Sequence, residues 1–182
     1  IEAYDISNIQ GVDSVGSMIV FEEGRSKNSD YRRFRIKTVK GANDYDSMRE
    51  ILTRRFSHGL EEVKAIQESK LQFSAGKFSN FPDLIMMDGG KGQINIALEV
   101  LRDLNINIPV CGLVKDDKHA TRGIIYNNEE LIINRSSNLM ELIRRIQDEV
   151  HRFAITYHRS LRDKNTLHSV LDDIPNVGEK RR

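Results

Sequence analysis

Residues 84–93, Leu-Ile-Met-Met-Asp-Gly-Gly-Lys-Gly-Gln, constrain the fold more than any other stretch of this chain. An apolar run follows Pro82, stops at Asp88, passes through Gly89 and Gly90, and gives way to the helical spacing of Ile94, Ala97, Leu98, Leu101 and Leu104. An apolar run of this length between a proline and glycines reads as a buried strand, and the repeat after it as an amphipathic helix. A strand that turns directly into a helix belongs in an open α/β sheet, where chemistry gathers at the C-terminal ends of the strands. Asp88 occupies such an end. It also suits an ordinary turn, because a carboxylate near a helix N-terminus is favoured by the helix dipole. The rest of the chain has to decide between the two.

Upstream, residues 1–6, 15–21 and 31–39 read as three strands joined by short polar links, which implies an antiparallel meander. In the third strand a period of two puts Arg33, Arg35 and Lys37 on one face and Phe34 and Ile36 on the other. Residues 41–44 can cap a helix carrying Met48, Ile51, Leu52 and Phe56, with Gly59 expected to interrupt it. Phe73, Phe78 and Phe81 lie in a loop-like stretch, where aromatics can stack on a base but more often anchor the loop to the core. Downstream of the Asp88 unit come a fifth strand at 110–114, a hairpin turning at Asn127-Asn128, and a long helix with Leu142, Ile143, Ile146, Val150 and Phe153 in its stripe. The expected architecture is α/β: a mixed five-stranded sheet, part meander and part parallel, flanked by helices. This order resembles the ribonuclease H-like fold. Residues 1–158 are expected to form that domain. Residues 159–182 are expected to be a linker and, at Ile174-Pro175-Asn176-Val177-Gly178, the truncated start of a helix-hairpin-helix module that offers backbone N–H groups to a DNA phosphate.

Composition narrows the function classes. Cys111 is the only cysteine, which excludes an internal disulfide and a cysteine-built zinc site and fits a reducing cytosol. No apolar run is long enough to span a bilayer. The formal charge is +1, yet basic residues cluster at 25–40 and again in the C-terminal part. A near-neutral chain with basic stretches fits a polyanionic partner, although a solvated charged surface has the same pattern. The abrupt, strand-like start suggests a piece of a longer protein.

Asp5 stands near the end of the first strand and Asp88 at the end of the fourth, and in this fold those strands are neighbours at the centre of the sheet. Two carboxylates at one spot repel each other without a cation between them. Hard oxygen donors with open positions suit Mg²⁺ or Mn²⁺, which can activate water against a phosphodiester. His151 lies about 140° round the last helix from Ile146, at the edge of the apolar stripe, where it reads as a surface histidine, a metal ligand or a proton carrier. Lys91, Lys115 and Lys118 sit on loops leaving strand ends and could neutralise a scissile phosphate. Asp44 reads as a helix cap or a third carboxylate. The glycine turn is not a phosphate-binding P-loop, because Gly92 follows Lys91 where Ser or Thr is required. A nucleotide cofactor is therefore not expected.

Six motifs in order carry a resemblance: Tyr4-Asp5-Ile6-Ser7-Asn8, Tyr31-Arg32-Arg33-Phe34, Asn43-Asp44-Tyr45, Asp88-Gly89-Gly90-Lys91-Gly92-Gln93, Lys115-Asp116-Asp117-Lys118-His119 and Asp148-Glu149-Val150-His151-Arg152-Phe153-Ala154. Together they resemble the C-terminal endonuclease domain of the bacterial nucleotide excision repair protein UvrC. The resemblance implies a cytoplasmic, metal-dependent endonuclease that cuts DNA 5′ to a lesion alongside UvrB. Asp5, Asp88 and His151 fall on the family's catalytic positions, and Asp44 on an acid needed for the same cut. Arg33, Arg35 and the C-terminal basic residues would then hold the DNA backbone. Another nuclease of the same fold, acting on an RNA–DNA hybrid or a junction, and a non-catalytic nucleic-acid-binding module are the competing readings.

Overall fold

A computed structural model of the chain describes residues 1–9, 12–39, 41–72, 76–116 and 120–172. Its elements in order are β1 (Glu2–Ile9), β2 (Val12–Glu22), β3 (Arg25–Ser26), β4 (Arg32–Arg35), α1 (Asp44–Gln67), β5 (Ile85–Met87), α2 (Lys91–Asp103), β6 (Val110–Lys115), β7 (Thr121–Tyr126), β8 (Glu129–Ile132) and α3 (Asn138–Asp172). The strands form one mixed sheet in the order β3-β2-β1-β5-β6-β7-β8, with β4 also paired to β2. β1 is antiparallel to β2, whereas β1–β5 and β5–β6 are parallel. This is the expected ribonuclease H-like arrangement, widened beyond five strands. The hairpin at 121–132 is not an appendage: β7 pairs with β6 and extends the sheet. Asn127 and Asn128 both take positive φ, 48° and 67°, as a tight two-residue turn requires.

Alternation along the strands sorts the core and aims the site. Tyr4, Met18, Phe34, Met87 and Val110 pack under α1 and α2. Ala3, Ile19, Met86, Cys111 and Leu113 pack under α3, against Ile143, Ile146 and Val150. Each of those three α3 side chains gains roughly 1.5–3 kcal/mol on burial, which fixes the helix to the sheet. Since Tyr4 and Met87 face α1, the next residue of each strand, Asp5 and Asp88, faces α3. The pairing of Tyr4 with Met87 puts the two acids side by side.

Three local expectations change. The third strand ends at Arg35 because Glu50 of α1 draws the next residues away: its carboxylate accepts hydrogen bonds from Lys37 N (2.9 Å), Thr38 N (2.9 Å) and Thr38 Oγ1 (2.7 Å). Gly59 does not interrupt α1, which runs unbroken for 24 residues. A side chain at 59 would collide with the Phe81 ring and, at 2.7 Å, with the Phe78 carbonyl, so the glycine lets the 76–82 segment lie against the helix. Finally, α3 continues to Asp172, through the position expected to end the domain. The helix-hairpin-helix start expected at 174–178 lies outside the described residues.

The 76–82 segment is held by buried charge. Arg55 of α1, 1% exposed, donates to the Glu2 carboxylate (2.7 Å), the Phe78 carbonyl (2.7 Å) and the Asn80 carbonyl (2.9 Å). The Tyr4 hydroxyl donates to the other Glu2 oxygen at 2.5 Å. The guanidinium also lies against Phe56, Phe78 and Phe81. Phe78 and Phe81 are thus loop anchors. Phe73 lies outside the described residues.

Candidate active site

Three elements deliver the site. β1 and β5 bring Asp5 and Asp88 to the α3 face, and α3 lays His151 across them. His151 Nε2 is 2.8 Å from Asp88 Oδ2, and its Nδ1 is 3.8 Å from Asp5 Oδ2. The other Asp88 oxygen accepts from Gln147 Nε2 at 3.0 Å and lies 3.5 Å from Lys115 Nζ. The Asp88 and Asp5 side chains are only 7% and 17% exposed, against 42% for His151, so the imidazole is the part of the trio that faces solvent.

These contacts pull the two acids apart electrostatically. Burial pushes the Asp5 carboxyl up to about 6; His151 and Lys115 partly offset this, while the Asp88 and Asp44 charges add to it. Burial acts on Asp88 in the same sense, but the hydrogen bond and charge of His151, with Lys115 and Gln147, outweigh it and hold the carboxyl below its ordinary value. The Asp88 hydrogen bond in turn raises His151 above its ordinary value, against its own partial burial. One carboxylate is therefore firmly ionised and clamped. The other titrates at about 6, its burial only partly offset by His151 and Lys115.

The remaining expected residues are spread around this centre. Asn43, not Asp44, caps α1, its side chain accepting from Asp46 N at 3.1 Å. Asp44 is exposed in the first turn, near enough to raise Asp5 through its charge. Arg33 is joined to Asp5 through Ser17, along the cross-strand row Arg33, Ser17, Asp5. That separation is two strand spacings, about 10 Å. Its guanidinium covers the Phe153 ring at 3.9 Å and donates to the Phe153 carbonyl at 3.3 Å. Arg35, exposed, lies two residues further along the same face. Lys91 opens α2 and lines a cleft of about 500 Å³ with Asn95, Tyr126 and Asn127, on the α2 side of the sheet. That cleft does not include Asp5, Asp88 or His151. Lys118 lies outside the described residues.

Two neighbours escaped the sequence reading. Gln147 precedes His151 by one helical turn, and that i, i+4 spacing was the available signal. The Ser17 hydroxyl, fully buried beside Asp5, has no hydrogen-bond partner among the described residues.

The sequence of residues 1–155 matches the family model described as the UvrC RNAse H endonuclease domain. The chain belongs to that family. A UvrABC system protein C from Clostridium beijerinckii is 84% identical over all 182 residues, and those of Clostridium perfringens strain SM101 and Clostridium novyi are 78% and 76% identical over the same length. In each case the chain spans 29% of the relative's length. The UvrC domain assignment and the ribonuclease H-like topology agree with the placement of both acids on adjacent central strands. Among the described residues, no helix is long and apolar enough to cross a membrane.

Two buried carboxylates with an imidazole at their edge are a hard donor set of the kind that suits a small divalent cation. No group of three or more His, Cys, Asp or Glu side chains among the described residues is already spread into a metal cage. The His151 ring bridges the two acids, with Nε2 on Asp88 and Nδ1 towards Asp5.

Proposed function

We propose that this domain is a divalent-metal-dependent DNA endonuclease that makes the incision 5′ to a lesion as part of a UvrABC-type repair system. The observation that carries the reading is the meeting of Asp5, Asp88 and His151 at one spot, although they lie on three elements far apart in sequence. Asp5 and Asp88 are the residues to hold Mg²⁺ or Mn²⁺, and an ion bound there would supply charge stabilisation to the phosphodiester and an activated water.

The chain's own groups divide the rest of the work. Asp88, clamped by His151, Gln147 and Lys115, is a fixed anchor. Asp5 gains most from a cation, because its neighbours offset only part of the burial penalty on its ionised form. His151 is best suited to moving a proton: it is the most exposed of the three, and Asp88 favours its charged form. Ligation through Nε2 would instead require it to give up both its proton and the Asp88 bond. Lys115 can neutralise phosphate charge next to Asp88. Arg33 and Arg35 lie on the α3 face where they can grip flanking phosphates, and Asp44 tunes Asp5 from the rim. Damaged duplex DNA is the proposed substrate and UvrB the proposed partner of the longer protein; the cytoplasm is where both are expected.

A nicking assay on duplex DNA carrying a bulky adduct tests the reading, in Mg²⁺ or Mn²⁺ and with UvrB present. The wild type should nick on the 5′ side of the adduct, and Asp88→Asn should lose at least a hundredfold in rate. Equal nicking by both proteins, or faster cleavage of an RNA–DNA hybrid, would refute it.

A further inference from the structure

Among the described residues, His151, Gln147 and Lys115 all reach Asp88, and Gln147 is itself held. The Gln147 side chain bridges Asp88 Oδ1, 3.0 Å from its Nε2, and Thr121, whose hydroxyl donates to Gln147 Oε1 at 2.6 Å. The direction of this bridge is forced. A rotated amide would turn its carbonyl oxygen towards a carboxylate that is already the acceptor of the site.

A feature of the sheet shows that Thr121 is aimed. Along β7, Ile125 packs under α1 and α2, and strict alternation would send Gly123 and Thr121 to that same side. The β6–β7 ladder breaks register between Val114 and Lys115: Val114 pairs with Gly123, but Lys115 pairs with Thr121. One residue, Arg122, is left over. The irregularity turns Thr121, now 6% exposed, over to the α3 face beside Lys115. Bulges re-aim side chains in this way next to active sites. One strand pair therefore delivers two groups to one carboxylate, Lys115 directly and Thr121 through Gln147.

We propose that Gln147 is the positioning residue for Asp88, and that Thr121, turned by the β6–β7 bulge, fixes the orientation in which the Gln147 amide does so. Neither residue touches substrate. Their effect is to hold Asp88 in the one rotamer that presents Oδ2 to His151. The proposal rests on the nuclease reading for its consequence in catalysis, but not for the bridge itself.

The test uses Gln147→Leu, Thr121→Val, Thr121→Ser and the Thr121→Val/Gln147→Leu double variant. Melting curves establish that each variant is folded. Side-chain amide NMR reads the bridge without metal or DNA. The Gln147 NH₂ resonance should be shifted and protected from exchange in the wild type and in Thr121→Ser, and should move to free-amide values in Thr121→Val. An unmoved resonance would overturn the proposal. Calorimetry with Mn²⁺ and steady-state nicking read the consequence. Gln147→Leu should weaken Mn²⁺ affinity by roughly 10–100-fold and lower kcat with an unchanged KM for DNA. Thr121→Val should do the same to a smaller extent, Thr121→Ser should recover, and the double variant should be no worse than Gln147→Leu. Additive losses, or a change of less than twofold in Gln147→Leu, would overturn it. A wild type that neither binds Mn²⁺ nor nicks would sink the nuclease reading, and the NMR result would still decide the bridge.

Discussion

Asp5→Asn should stabilise the metal-free protein while destroying its activity. Burial holds the Asp5 carboxyl at about 6 where an unfolded chain gives about 3.8. At about 1.4 kcal/mol for each tenfold change in proton affinity, the ionised native side chain carries a penalty of about 3 kcal/mol. Between those two values the native state binds more protons than the unfolded state, so stability falls as pH rises through the window and is lowest above 6. Asparagine removes the charge. In a chelator at pH 7.5 the variant should be about 2–3 kcal/mol more stable, raising Tm by roughly 5–10 °C for a chain of this size. The advantage should shrink as pH is lowered through 6 and vanish below about 4. Mn²⁺ should raise the wild-type Tm by mass action and leave the variant nearly unmoved. Calorimetric melts at pH 4, 5, 6 and 7.5 provide the assay. A variant no more stable than wild type at pH 7.5, or one with the same advantage at pH 4, would refute the reasoning.

Arg55→Ala leaves the Glu2 carboxylate without its counter-ion and two loop carbonyls without their donor, and should cost about 3–5 kcal/mol in urea denaturation, part of which Glu2→Gln restores. Gly112→Ala drives a methyl group into the Gly89 carbonyl and, at 2.8 Å, into Ile94; it should cost about 1–3 kcal/mol in the same assay and reduce nicking by shifting the Asp88 turn. Arg33→Ala should weaken duplex binding uniformly across sequences and lower the salt slope of log K by about one, measured by fluorescence anisotropy at several salt concentrations.

The sites that were easy to read in the sequence are those where one period governs. A period of two along two strands is enough to put Asp5 and Asp88 on the same face once the strands are neighbours. The 3.6-residue repeat put His151 at the margin of the α3 stripe, where it is found. Residues that depend on a departure from regularity were not legible. Thr121 reaches the site only through a register shift that nothing in residues 121–126 announces. Gln147 carries no charge to draw notice, and its partners, Asp88 and Thr121, lie on other parts of the chain. Gly59 has the form of a helix breaker, but the space it leaves is filled by Phe81 and the Phe78 carbonyl, which lie about 20 residues away. Nothing in the composition marks Arg55 and Glu2 as a pair, since a buried pair is indistinguishable there from two solvated charges. Lys91 follows the glycine turn as a phosphate-binding lysine would, yet α2 carries it to the cleft on the other side.

The Glu2–Arg55 pair also limits how this domain can diverge. Either residue alone is hard to replace, because its survivor becomes a lone charge in a dry interior, and any replacement pair must also satisfy the Phe78 and Asn80 carbonyls and the Tyr4 hydroxyl. Drift at these positions has to cross a barely folded intermediate or change both codons together. Across the lineage, then, positions 2 and 55 should be inherited as a unit: retained jointly, or exchanged jointly, but rarely found half-changed.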